Sequence, residues 1–389
     1  MLLLRHHRTA DNPKLATKGN EVTMKITAAV LEETGRTRPY AQSKPISVSE
    51  VELGEPGPTE ILVKLEAAGV CHSDLSVVDG NRVRPLPMLL GHEAAGRIVN
   101  IGAAVTNLLP GQRVVMSFLP RCEQCASCAE DGRLACTTGS ATNNKGELLH
   151  GSGRLSRDGK MVYHHLGVSG FATYAVVDQA SAVAVGDDVP PDIAAVLGCA
   201  VLTGGGAVLN AAKPQPQDSI MIVGLGGVGM AALITAVSQD VSRIVAVDTL
   251  GDKLSHASRL GAHETYTPQE VAEKAIKTKY VIECVGSARA FETAFTATEA
   301  GGTTVTVGLP HPDARSHISP LTLTAEARTV VGSYLGSAVP ARDIPMYAQL
   351  WRDGKLPVEE LISSRIKLQG INEAMDQLAD GKAVRQVIM

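Results

Sequence analysis

From Ser219 the chain reads SIMIVGLGGVGMAALITAV, and no other stretch narrows the choice of fold as far. A short continuous apolar run is what a strand covered on both faces needs. It leads through a glycine cluster into an apolar, helix-forming stretch. Gly224 permits a tight turn, Gly226 lets backbone approach a pyrophosphate, and Gly229 lets helix and strand pack closely, with Gly227 and Val228 opening the helix whose N-terminus faces the phosphates. The next apolar run, RIVAVD, ends at Asp248, about 20 residues beyond the last glycine. A carboxylate there accepts hydrogen bonds from both hydroxyls of an adenosine ribose and repels a 2′-phosphate, so NAD rather than NADP is the expected cofactor.

Five apolar runs, SIMIVG, RIVAVD, KYVIECVG, TTVTVG and TVVGSYLG, alternate with helical patterns, as the strands of a parallel α/β sheet should. Before about Gly186 the texture is of short strands punctuated by glycine and proline. A chain of 389 residues is too long for one core to keep growing. The expected organisation is a β-rich catalytic domain over 24–201, a dinucleotide-binding α/β domain over 202–338, and a tail, 339–389, that returns to the first domain. Residues 1–23 have a very short apolar run and carry Asp11 and Glu21, so they read as a flexible extension rather than a secretory or transit signal, and Met24 begins the first strand.

A formal net charge of -4 supplies no positive field for a phosphate backbone or an anionic bilayer, so neither nucleic acid nor membrane is an expected partner. The longest apolar stretches are broken by glycines and give no membrane span. A soluble, cytoplasmic protein is expected. The cysteine count of 7 is odd for a disulfide framework, which favours reduced thiols and metal ligation over bridging.

Four of these cysteines, Cys122, Cys125, Cys128 and Cys136, crowd into RCEQCASCAEDGRLAC. Such spacing can bind zinc, hold an iron-sulfur cluster or form disulfides. Outside it stand Cys71 in GVCHSD, Cys199 in VLGC and Cys284 in KYVIECVG, with His92 in GHEAAG. Two thiolates and one imidazole make the ligand set of a catalytic zinc that keeps its fourth position open. Cys284 reads as core.

Taken in order, GVCHSD, GHEAAG, RCEQCASC with Cys136, VLGC, and VGLGGVG followed by VDTLGDK resemble a zinc-dependent alcohol dehydrogenase of the medium-chain dehydrogenase/reductase family, from about Met24 to Met389. The resemblance implies a GroES-like catalytic domain beside a Rossmann domain, with NAD and two zinc ions per chain. Cys71, His92 and Cys199 would hold the catalytic zinc. Cys122, Cys125, Cys128 and Cys136 would close a structural one, which four thiolates leave without an open position for substrate.

The remaining roles are likewise implied by the resemblance. Ser73 would take the alcohol proton, Asp74 would hydrogen-bond the zinc-bound histidine, and Glu93 would lie near the zinc, with a structural salt bridge as its rival role. His72 would face the pyrophosphate; being only partly protonated near neutral pH, it would hold NAD less firmly than arginine. Thr203, Lys253 and Arg385 would contact the cofactor, and Leu309, Ser333 and Leu335 its carboxamide. Phe118 would wall the substrate pocket, and Arg82 at its rim hints at an anionic or polar substrate tail. Ser76 stands where many relatives carry a histidine that completes proton release. The stretch Thr137 to His165 resembles a long loop of dimeric relatives, so a homodimer joined near TVVGSYLG is expected, with a tetramer as the alternative. The implied reaction transfers a hydride between NAD and an alcohol, expected to be primary and of aromatic or long-chain type, interconverting alcohol and aldehyde or ketone. A glutathione-dependent formaldehyde dehydrogenase is the alternative, and a non-catalytic zinc-scaffolded binding protein the remote one.

Overall fold

The computed structural model describes residues 15–18, 21–151 and 153–389. Its parallel sheet has six strands in the spatial order Glu264–Tyr266, Arg243–Val247, Ser219–Val223, Thr278–Glu283, Thr298–Thr306, Thr329–Gly332, each pair of neighbours parallel. Strand Ser219–Val223 shows why the run is apolar throughout: Ile220 and Ile222 pack into one core cluster, Met221 and Val223 into another on the opposite face. Strand order reverses between Ser219–Val223 and Thr278–Glu283, and at such a switch a crevice opens beyond the carboxyl ends. The fold class is as expected, with one strand more: Glu264–Tyr266 is three half-buried residues at the sheet edge, too short to show a pattern.

A seven-stranded sheet organises the other domain around the long strand Glu60–Val70, flanked by Ala94–Ile101 and by the C-terminal strand Arg385–Ile388. The last pairing sets Gln386 opposite Val70, so the end of the chain is sewn beside the residue that precedes Cys71. A six-stranded sheet completes this domain, running from Leu15–Lys18 through Glu21–Leu31 and Ile46–Gly54 to Leu155–Arg157, Lys160–His164 and Met88–Leu89.

Three expectations need correction. The first long strand starts at Glu21, and Leu15–Lys18 pairs antiparallel with it, so part of the supposed extension joins the sheet through backbone hydrogen bonds that apolar patterning does not report. Residues 1–14 and 19–20 lie outside the described residues. The stretch 137–165 is a helix, Thr137–Lys145, followed by a hairpin of Leu155–Arg157 and Lys160–His164. Its helix has almost no apolar face, and Cys136 caps it by accepting the Gly139 N–H. Third, no linker marks 201/202. Pro191–Ala212 is one continuous helix, long and apolar enough by composition to cross a membrane, yet 94% of its most apolar 18-residue window is buried in the protein. It contains two wide turns, Leu197–Val201 and Ala207–Ala212, in which hydrogen bonds span five residues, as from Lys213 N–H to the Val208 carbonyl at 2.7 Å.

Candidate active site

Strand Glu60–Val70 delivers Cys71 to the start of the helix His72–Val78, where Asp74 accepts the Cys71 N–H at 3.1 Å in a capping box. The same carboxylate reaches the next strand connection. Its Oδ1 lies 3.0 Å from Nδ1 of His92 and accepts the Gly91 N–H at 3.2 Å. With Nδ1 engaged, Nε2 of His92 points the other way, to 3.4 Å from Sγ of Cys199. Cys199 comes from the first wide turn of the buried helix. The ligating atoms of Cys71, His92 and Cys199 lie within 4.8 Å of one another, and all three residues are buried.

The electrostatics fit a divalent cation. The hydrogen bond from Cys199 draws the Cys71 thiol well below its usual range, against the opposing effect of burial. Burial pushes Asp74 up, but the charge of His92, its hydrogen bond and the close approach of His165 win and hold it at about 2. Behind the ligands, burial lifts Glu93 to about 7, tempered by Arg385. Glu93 Oε1 and Arg385 Nε stand 3.5 Å apart without hydrogen-bond alignment, so both carboxylate oxygens keep free lone pairs beside the donor set. Two thiols and an imidazole oriented by a carboxylate are the donor set of a zinc site that keeps one open position.

Cys71 and Cys199, with His92 just behind them, mark one end of a solvent-open cavity of about 270 Å³. From Cys71, His72, Ser73, Cys199 and Thr203 it runs past Gly224, Gly226, Gly227 and Val228 to Asp248 and Lys253, with Leu309, Leu335 and Arg385 on its walls. The glycines of the turn differ in the space around them. A Cβ at Gly226 would meet nothing within 4 Å, leaving that face open to a ligand, whereas a Cβ at Gly229 would sit 1.8 Å from the Gly224 carbonyl. Asp248 is held at the strand end by N–H groups of Leu225 (2.7 Å) and Leu250 (3.0 Å). Arg385 Nη1 donates to the Val70 carbonyl, which aims the guanidinium at the glycine turn.

Asp74, His92 and Glu93 lie behind this wall, and Phe118 and Arg82 also line the cavity. Ser333 is not part of the lining: its N–H serves the Thr306 carbonyl and its hydroxyl pairs with Ser337. Cys284, just past the strand Thr278–Glu283, packs against the core and also lines the cavity, because strand ends at a switch point border the crevice. His72 lines the cavity with an exposed side chain, and desolvation draws its basicity below the usual imidazole range, partly countered by the neighbouring Cys71. Ser76 donates to the Ser73 carbonyl at 2.8 Å.

Sequence reasoning missed three residues. His165 brings Nδ1 to 3.1 Å from Asp74 Oδ1, without hydrogen-bond alignment, and its ring meets that of His92 edge-on at 5.5 Å. The doubled HH was its only signal. Tyr334 lines the cavity between Ser333 and Leu335, two positions read for their backbone alone. Arg84, two residues beyond Arg82, lies close to Tyr334.

The cysteine lobe is separate. The sulfurs of Cys122, Cys125, Cys128 and Cys136 lie within 4.8 Å of one another, with Cys125 Sγ 3.6 Å from Cys128 and 3.9 Å from Cys136, as free thiols. A backbone hydrogen bond from Thr137 leads the effects that hold the Cys125 thiol at about 5. Asp131 in this lobe pairs with Arg342 at 2.7 Å, and a Cβ at Gly132 would come within 2.4 Å of the Ser337 carbonyl. The lobe therefore rests on the segment that carries Tyr334 and Leu335.

Residues 57–187 match the family model described as the alcohol dehydrogenase GroES-like domain, and residues 227–352 match that of the zinc-binding dehydrogenase. Alcohol dehydrogenase 1 of Petunia hybrida is 32% identical over 362 residues, covering 90% of this chain and 94% of the relative. Alcohol dehydrogenase class-3 of Myxine glutinosa is 34% identical over 363 residues, 90% and 96% of the two chains. Among solved structures, an alcohol dehydrogenase zinc-binding domain protein from Burkholderia ambifaria superposes with a TM-score of 0.88 at 30% identity, over 94% of this chain and 99% of that one. Benzyl alcohol dehydrogenase from Acinetobacter calcoaceticus does so with a TM-score of 0.85, also at 30% identity and with the same coverage.

Proposed function

Since the chain belongs to the zinc-dependent alcohol dehydrogenases of the medium-chain dehydrogenase/reductase family, we propose that it moves a hydride between an alcohol and NAD at the Cys71, His92 and Cys199 end of the cavity. The observation that carries this reading is the meeting of that donor set with a glycine-turn crevice in a single cavity. Zinc held by these three residues supplies Lewis acidity toward a hydroxyl or carbonyl oxygen, and NAD supplies the hydride acceptor.

The chain's own residues do the rest. Asp74 keeps Nε2 of His92 facing the metal by engaging Nδ1. Ser73, on the cavity wall two residues past Cys71, is placed to pass the hydroxyl proton outward. Ser76 offers no imidazole to continue that path, and its hydroxyl is already committed to the Ser73 carbonyl, so the proton leaves through water or the cofactor ribose. Gly226 and Arg385 receive the pyrophosphate, and Asp248 the adenosine ribose, which favours NAD over NADP. The four-cysteine lobe takes a second, structural zinc that supports the pocket wall. A homodimer forms through the sheet edge at Thr329–Gly332, where Val330 is 37% exposed. Free thiols at all seven cysteines suit a reducing, cytoplasmic compartment.

The test is an NAD-reduction screen over primary aliphatic, benzylic and terpenoid alcohols, with formaldehyde plus glutathione as a separate arm and zinc counted per chain. Turnover of one alcohol class with about two zinc ions per chain supports the scheme. One zinc ion and no turnover in any arm would sink it.

A further inference from the structure

Resting on the dehydrogenase reading, we propose that Arg82 and Arg84 form an oxyanion subsite at the substrate end, so that the preferred alcohol or aldehyde carries a carboxylate remote from its reacting carbon.

The route from the metal ligands to this pair is aromatic. The His92 ring meets Phe118 edge-on at 5.4 Å, and Phe118 meets Tyr334 in the same way at 5.7 Å. Beyond them the surroundings turn positive: Tyr334 feels the charges of both Arg84 and Arg82, and the two arginines feel each other. Arg82 lines the cavity, its backbone pinned by donation to the Ser76 carbonyl at 2.7 Å. Among the described residues no carboxylate pairs with either guanidinium. The nearest acid along the chain, Asp79, is taken by the backbone and side-chain nitrogens of Asn81 at 2.9 and 2.8 Å. Arg84 donates one nitrogen to Asn144 at 2.6 Å, while its Nε is buried with no partner.

Arg82 on the cavity wall, with the second positive charge of Arg84 behind it and no counter-charge on either, disfavours the empty pocket unless a ligand brings one. A guanidinium fork matches a carboxylate in two parallel hydrogen bonds. Plain alkanols and benzyl alcohol would leave that donor set unpaired, and a pocket built to bind a charged group rejects analogues lacking it. The ring-lined passage gives the spacer its character, an aromatic or aliphatic body between hydroxyl and carboxylate.

The experiment compares kcat/KM of the zinc-loaded enzyme, with NAD, on 4-(hydroxymethyl)benzoate and on 4-methylbenzyl alcohol. The carboxylate is expected to be favoured about tenfold or more. Arg82→Leu and Arg84→Leu should each lower that ratio about tenfold, and Arg82→Lys less. A wild-type preference for the neutral alcohol, or a ratio that neither leucine variant moves, overturns the proposal. Absence of turnover on both alcohols would strike the dehydrogenase reading, and this proposal is then decided by calorimetric titration of the same pair into the zinc-loaded protein. Tighter binding of the carboxylate that Arg82→Leu weakens upholds it; equal binding overturns it.

Discussion

Oδ1 of Asp74 stands 3.0 Å from Nδ1 of His92, and both side chains are wholly buried. That one contact decides which ring nitrogen faces Cys199, so it sets the donor geometry before any metal arrives. Asp74→Ala should lower zinc affinity at the three-residue site about 10- to 100-fold. Chelator competition on the purified variant checks this, and retention of metal by the four-cysteine lobe is the internal reference.

Two glycines in the same turn should behave oppositely. Gly229→Ala puts a methyl against the Gly224 carbonyl and should cost about 1–3 kcal/mol of stability together with cofactor binding. Gly226→Ala meets nothing in the protein, so its melting temperature should hold while NADH affinity falls about tenfold, because the methyl takes space the pyrophosphate needs. Thermal melts and NADH fluorescence titrations separate the two.

Burial holds His164 at about 4, its Nε2 accepting the Arg154 N–H at 3.1 Å. The unfolded chain takes up that proton near pH 6.5, whereas the folded chain refuses it until about pH 4. Stability from this group is therefore complete above about pH 6.5 and is lost as pH falls toward 4, up to about 3 kcal/mol. Denaturant melts from pH 7.5 to 4.5 on wild type and His164→Gln should show a shallower decline in the variant. Parallel declines would remove His164 as a cause.

Asp248 should set cofactor choice. Asp248→Asn removes the negative charge but keeps an acceptor oxygen for only one of the Leu225 and Leu250 N–H groups, which engage different carboxylate oxygens, and the preference for NAD over NADP should shrink about tenfold. Steady-state kinetics with both cofactors measure it.

The two cysteine groups should fail in different ways. Cys125→Ser should lower the melting temperature by about 5 °C or more, since metal affinity at a closed site is folding energy. Cys199→Ser should leave the melt nearly in place and abolish turnover. If instead Cys125→Ser melts like wild type and loses all activity, the lobe is catalytic.

Much of this was legible in the chain. The parallel sheet could be read because strands buried on both faces must be apolar at every position, as Ile220, Met221, Ile222 and Val223 are. The glycine turn and Asp248 could be read because their roles follow from residue type and spacing. What escaped depends on the third dimension. The helix Thr137–Lys145 is held by a cysteine cap and by the Asn143 bond to the Phe118 carbonyl, neither of which leaves a periodicity. Cys284 reads as core because it continues an apolar strand, and only the switch in strand order makes that strand end a cavity wall as well. His165 lies far along the chain from Asp74 and is brought to it by sheet pairing, so two adjacent histidines gave no hint of which one would matter.

The wide turns of Pro191–Ala212 give this helix a phase as well as a length. Each turn closed over five residues shifts the azimuth of everything after it relative to a regular α-helix. Cys199 sits inside one such turn and Thr203 just beyond it, so their headings toward metal and cofactor depend on how many residues precede them, not only on which residues they are. Removing Gly198 or Ala200 would keep a good helix and an apolar core, and every ligand would remain in the chain. The centre would nevertheless be lost, through a counting error rather than a chemical one.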